Sequence, residues 1–126
     1  MANLIPSILT SIKKDLNIPE NVEAFDPDIL MHINMAFAKL NQLGVGPDEV
    51  FMIDDASAVW SDFSTDAITN MARTYVYLEV RLVFDPPTAS LLTSLEKKRD
   101  ELEWRLSVAQ DKLLYANSEE DQNESE

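Results

Sequence analysis

No cysteine occurs in the chain, which excludes disulfides, thiolate metal sites and cysteine nucleophiles. Glycine is almost as scarce, with only Gly44 and Gly46. That leaves no glycine-rich loop to cradle a phosphate and no glycine-flanked elbow to present a nucleophilic serine. It also disfavours an all-β fold, whose tight turns consume glycine. There is one histidine, His32, so no histidine-based metal site can form. No apolar run is long enough to span a bilayer, and no signal-peptide pattern opens the chain. Bases are few: 10 lysines and arginines face 23 acids, for a net charge of −13. Such a surface repels phosphates and does not hold nucleic acid by counterion release. Acidity of this kind also keeps a small protein soluble. Five acids sit in the last eight residues, and the body is acidic without them.

The residue types left for chemistry are poorly arranged for it. Asp26 and Asp28, and Asp54 and Asp55, are carboxylate pairs, but neither continues into a calcium-loop pattern. Helix capping accounts for both. The basic run Lys97-Lys98-Arg99 lies beside acids without interleaved aromatics and reads as a solvated face. No catalysis, cofactor or metal is expected.

What the chain does have is helical periodicity. The stretch 66–87 carries Ile68, Met71, Ala72, Tyr75, Val76, Leu78, Leu82 and Val83 at spacings of three and four, and Ala67, Tyr77, Val80 and Phe84 widen the face. A helix apolar nearly all round belongs at the centre, with Tyr75, Val76 and Leu82 in the core. Pro86 and Pro87 end it. Before it, residues 4–16 carry a stripe of Leu4, Ile5, Ile8, Leu9, Ile12 and Leu16, with Lys13 and Lys14 off the stripe near the helix end. Asp26-Pro27 reads as a cap and first helical residue of a second helix, about 27–43, closed by Gly44. Residues 50–53 read either as one arm of a small hairpin or as a hydrophobic loop folded back on the core. Trp60 and Phe63 lie three apart on a short helical turn and anchor the core together. Ser64 or Thr65 caps the central helix.

The last element, about 88–116, has a narrow stripe of Leu91, Leu95, Leu102, Leu106, Ala109 and Leu113. It would be roughly 40 Å long at 1.5 Å per residue. That is more than the other helices can cover, so its C-terminal half is expected to project or to find another chain. Trp104 and Arg105 lie in that half, and both residue types are enriched at binding hot spots. A packing role for Trp104 is the competing reading. The expected architecture is all-α: a small bundle of about four helices in residues 1–116 with a long projecting C-terminal helix, then a disordered acidic tail, 117–126.

The chain resembles the small head–tail connector (adaptor) proteins of long-tailed bacteriophages. The resemblance rests on Trp60-Ser61-Asp62-Phe63, on the run from Tyr75 through Val76-Tyr77-Leu78-Glu79-Val80-Arg81-Leu82-Val83-Phe84 to Asp85-Pro86-Pro87, and on Glu101-Leu102-Glu103-Trp104-Arg105-Leu106. It covers roughly residues 4–113. It implies a virion protein of the head–tail neck, assembled in the host bacterial cytoplasm, with no catalytic residues and no membrane association. It implies a homo-oligomeric ring of about a dozen subunits beneath the portal protein. Such a ring extends the DNA channel, lets DNA pass without specific binding, and offers a platform to a stopper or tail-completion protein. It further implies that the C-terminal helix docks on the portal, here through Leu102, Trp104, Arg105, Leu106 and Leu113. Without the resemblance, the residues equally suit a small acidic helical protein-binding module or regulator. An enzyme is the weakest reading.

Overall fold

The described residues form five helices: α1 (Ile8–Asp15), α2 (Asp26–Gln42), α3 (Trp60–Phe63), α4 (Thr69–Phe84) and α5 (Ala89–Glu124). The computed structural model describes residues 7–124, with side-chain surroundings described through Tyr115. Among the described residues there is no strand, only an isolated antiparallel bridge between Ser7 and Val59. The fold is all-α, and α4 is its hub: it packs against each of the other four helices. Ala72, Tyr75, Val76, Leu78 and Val80 are buried along it.

Local chemistry sets the helix ends. Ser7 caps α1, its hydroxyl accepting from the Thr10 N–H at 2.9 Å. At the other end Asn17 takes a left-handed conformation (φ 64°), and Ile18 N–H returns to the Lys13 carbonyl at 2.8 Å. Gly44 (φ 79°) does the same for α2, with Val45 N–H bonded to the Leu40 carbonyl at 2.9 Å. Both are six-residue C-terminal closures that satisfy carbonyls the helix leaves open. Leu4 and Ile5, expected in the first stripe, lie outside the described residues. Ile8, Leu9, Ile12 and Leu16 are buried.

Lys13 corrects the sequence reading. It is not an exposed partner of the helix dipole but is 3% exposed. Its ammonium donates to the Glu20 and Val22 carbonyls at 3.0 and 2.7 Å and lies 2.9 Å from Asp26 Oδ1. Two carbonyls accept from it and a carboxylate balances its charge, which is what makes a buried ammonium tolerable. Asp26 is thereby diverted from capping: α2 has no side-chain cap, and its entry is fixed by the ion pair to α1 instead.

The segment 50–53 is not a hairpin arm. It runs extended along α2 with Phe51 and Ile53 turned inward and Val50 and Met52 outward. Asn34 holds it from both sides, donating to the Ile53 carbonyl at 2.9 Å and accepting from the Ile53 N–H at 2.8 Å. A side-chain amide thus replaces the neighbouring strand. Phe51 joins Phe37 and Phe63 in a cluster with ring centroids 4.9–5.5 Å apart, and Trp60 lies 6.0 Å from Phe37. The indole N–H of Trp60 donates to Ser11 Oγ at 2.9 Å, satisfying the ring's one polar atom. Gly46 is required here twice over. Its φ is +92°, and a Cβ would sit 2.5 Å from the Phe63 ring.

α4 starts at Thr69, so neither Ser64 nor Thr65 caps it; Ile68 occupies that position. Ser64 Oγ instead accepts from the Asp66 N–H at 3.0 Å in the preceding turn. Leu82, expected in the core, is half-buried. It shares the Tyr75 face but lies two turns further on. The contacts with α1 (through Asp15 and Arg73) and the aromatic cluster lie toward the other end of α4.

α5 runs antiparallel to α4, in a register set by Tyr75 opposite Glu103 and Glu79 opposite Arg99. That register corrects the expected projection of its C-terminal half. Leu106 is fully buried, and Leu102, Ala109 and Leu113 pack on the core. By that register α4 begins opposite about Ala109, and Leu113 meets Ala67 and Ile68 in the turn before α4. The least covered large apolar residue of α5 before Trp104 is Leu91, 46% exposed, near the start of the helix. The backbone stays helical to Glu124, past the point where disorder was expected. No proline or glycine interrupts it.

Two stability measurements follow from this packing. Ile33→Ala, at a fully buried site on α2, is expected to cost about 2–5 kcal/mol, and Leu82→Ala clearly less. Urea melts giving equal costs would place Leu82 inside after all. We propose that residues 117–126 add nothing to the core. Truncation after Ala116 should leave the Tm nearly unchanged, and a drop of several degrees would show that the acidic segment is docked.

Candidate interaction surfaces

The residues singled out as a partner-binding set separate into two groups. Trp104 is 68% exposed, although it is one of the largest apolar side chains in the protein. Arg105 is also exposed, and its guanidinium holds Glu101 one turn back at 2.7 Å. This is an i,i+4 surface pair worth less than about 1 kcal/mol. Leu106 points the opposite way and is fully buried, so it belongs to the core and not to a docking face. Leu102 and Leu113 are half-buried against the same core. Leu113 also lines an open apolar groove of about 250 Å³ with Ala67, Ile68, Met71, Ala109 and Lys112. The core set divides as well. Trp60, Phe63, Tyr75 and Val76 are buried, at 9%, 4%, 0% and 0% exposure, whereas Leu82 is not.

Two exposed apolar features were not foreseen. On α5, Leu114 and Tyr115 are 57% and 67% exposed. Trp104, Val108 and Tyr115, spaced by four and seven, share one face with Trp104 at its centre-to-N-terminal end. The second feature lies on α2. Met31, Met35, Val50 and Met52 are each about half or more exposed and border a shallow groove with Asn34 and Ala38. A signal for it existed: Met31 and Met35 are four apart, on the side of α2 away from Ile29, Ile33 and Phe37. It went unused because the inward stripe already explained the helix.

Among the described residues no group of three or more histidines, aspartates or glutamates could hold a metal ion. No helix there is long and apolar enough to cross a membrane. The buried polar groups are structural. Glu79, 9% exposed, receives Lys39 of α2 at 2.9 Å and faces Arg99 of α5 at 3.6 Å. One turn away, the fully buried Tyr75 donates its hydroxyl to Glu103 at 2.8 Å. Burial pushes the Tyr75 hydroxyl well above the usual phenol range, and the bond to Glu103 adds to the shift.

The sign of that shift has a measurable result. A phenol whose folded pKa is raised contributes stability in full below its unfolded value of about 10, and that contribution declines as pH rises further. In a spectrophotometric titration Tyr75 should therefore ionise only together with alkaline unfolding, above about pH 10. Tyr75→Phe should remove that late-titrating group. A chain whose tyrosines all ionise near pH 10 while its helices persist would contradict the buried Tyr75–Glu103 bond.

Comparison with known proteins bears on what these surfaces serve. No curated protein and no solved structure matches the chain. A family model described as phage connector protein matches residues 8–113, which takes in all of α1 to α4 and the packed part of α5. The match spans well over half of the 126 residues, and the chain belongs to the phage connector protein family.

Proposed function

We propose that the protein is a structural head–tail connector that forms a ring under the portal, extends the DNA channel and carries the stopper or tail-completion protein. The observation that supports the portal side most is the outward face of α5. Trp104, Val108 and Tyr115 line it, and Trp104 is left 68% exposed whereas Trp60 is taken into the core. A partner that covers Trp104 gains a contact in the hot-spot range, about 2–4 kcal/mol. Arg105 lies beside it for a carboxylate of the portal, at the strength of a rim pair. Leu102 and Leu113 offer only their exposed edges, and Leu106 supports the helix from inside. The charge of −13 suits a conduit, since like charge weakens phosphate contacts and lets DNA slide. In this reading the protein assembles in the host cytoplasm and resides in the neck of the virion.

The test is Trp104→Ala alone, because Leu106 is needed for folding. The isolated variant should keep its stability within about 0.5 kcal/mol, as an exposed position should. Phage carrying it should lose infectivity and accumulate DNA-filled heads that lack tails or leak. If the variant unfolds, Trp104 is structural; if it folds and the phage plates normally, portal docking through this face is wrong.

A further inference from the structure

The methionine face of α2 has a chemistry of its own. Met31, Met35, Val50 and Met52 are 55%, 59%, 48% and 64% exposed around a shallow groove of about 290 Å³. An exposed cluster of this kind marks an interaction site more often than chance, and methionine suits it because the thioether adapts to its partner. The rim is acidic without compensation. Asp48-Glu49 precede the extended segment and Asp54-Asp55 follow it, all exposed. None of these four is ion-paired among the described residues. Asp55 is held in its charged form, its carboxyl lowered by the Ser57 hydroxyl and N–H. Lys39, the only lysine or arginine on α2, is turned to Glu79. The occupant must therefore be apolar with basic flanks.

This chain carries one such surface. At the turn joining α4 to α5, Val83 near the end of α4 is 62% exposed and Leu91 near the start of α5 is 46% exposed. Leu91, Leu95 and Lys98 follow at four and three residues, on one face of α5. Lys97 and Lys98 are exposed and unpaired among the described residues. No other two neighbouring bases there are both free, since Lys13 is buried against Asp26 beside Lys14. This also explains why Lys98 stands where the stripe of α5 would have continued with an apolar residue.

We propose that the acid-rimmed methionine face of one copy receives the Leu91–Lys98 face of the next. The two surfaces differ, so the contact is heterologous: repeated head to tail it closes a ring when the rotation between copies allows. The inference rests on the ring reading and names the surfaces that would form it. Opposite charge across the contact fixes its register and disfavours pairing of either face with itself.

The absence of cysteine gives a clean test. Met35→Cys and Leu91→Cys are introduced together and separately into phage particles, which are oxidised and run on a denaturing gel, with the copies per particle counted. The expected result is a ladder of regular multiples from the double variant and none from either single one. Dimers from Met35→Cys alone would mean that the face meets itself and would overturn the proposal. Many copies per particle without a ladder would overturn this contact and leave the ring standing. A single copy per particle would defeat the ring reading and the contact together. Charge reversal supplies a second reading if the cysteines prevent assembly. Lys98→Glu should cause loss of infectious particles, and Asp54→Lys in the same chain should restore them. An unimpaired Lys98→Glu phage, or an impaired one that is not rescued, would overturn the contact.

Discussion

Packing α4 against four other helices brings charged groups to its buried faces, and the way they are matched determines how the helices dock. Glu79 lies on the buried helix between α2 and α5, and Lys39 and Arg99 reach it from the two sides. Removing Lys39 would take away the one hydrogen bond that Glu79 Oε2 makes and leave a nearly buried carboxylate with only the longer contact to Arg99, which costs more than the pair itself contributes. Tyr75 and Glu103 repeat the arrangement one turn away with a neutral donor. Together they fix the sliding register of α5 along α4, which apolar contacts alone do not specify. From that register follow the burial of Leu106, the exposure of Trp104 and the length of helix left beyond the bundle.

Periodicity made the helices legible. The stripe of Ile8, Leu9, Ile12 and Leu16, the Gly44 closure and the proline stop after α4 all act through neighbouring residues, and local pattern reports local physics well. Trp60 and Phe63 were readable as core for the same reason. What the pattern could not convey was side-chain traffic between distant segments. Lys13 looked exposed because lysines usually are, and only the later carbonyls of Glu20 and Val22 make its burial possible. Leu106 and Trp104 are two residues apart in a charged stretch. The stripe of α5 sets Leu106 apart from Trp104, but whether the bundle or another chain covers that stripe depends on the docking register, which no helix-intrinsic pattern contains.

The surfaces divide along the same line. Trp104 was conspicuous in sequence because a large ring among charges is unusual. The methionine face was not, because half of it comes from α2 and half from a loop that only the folded chain brings alongside. The two main exposed apolar surfaces lie on different helices, one on α5 and one on α2 with the 50–53 segment beside it.

The Asn34 clamp has a mechanical side. It fastens the 50–53 segment by two hydrogen bonds between one side chain and one residue's backbone. Such a fastening is a latch: neutral bonds of this kind hold with about 1 kcal/mol each, well below the global stability of a domain. The segment is thus the natural candidate for local opening while the helices stay folded. Opening would swing Met52 and Val50 away from α2 and lift Phe51 from the aromatic cluster in the same movement. The state of the outer face and the packing of the inner rings are therefore coupled, and a neighbour seated on the methionines would also hold the latch shut.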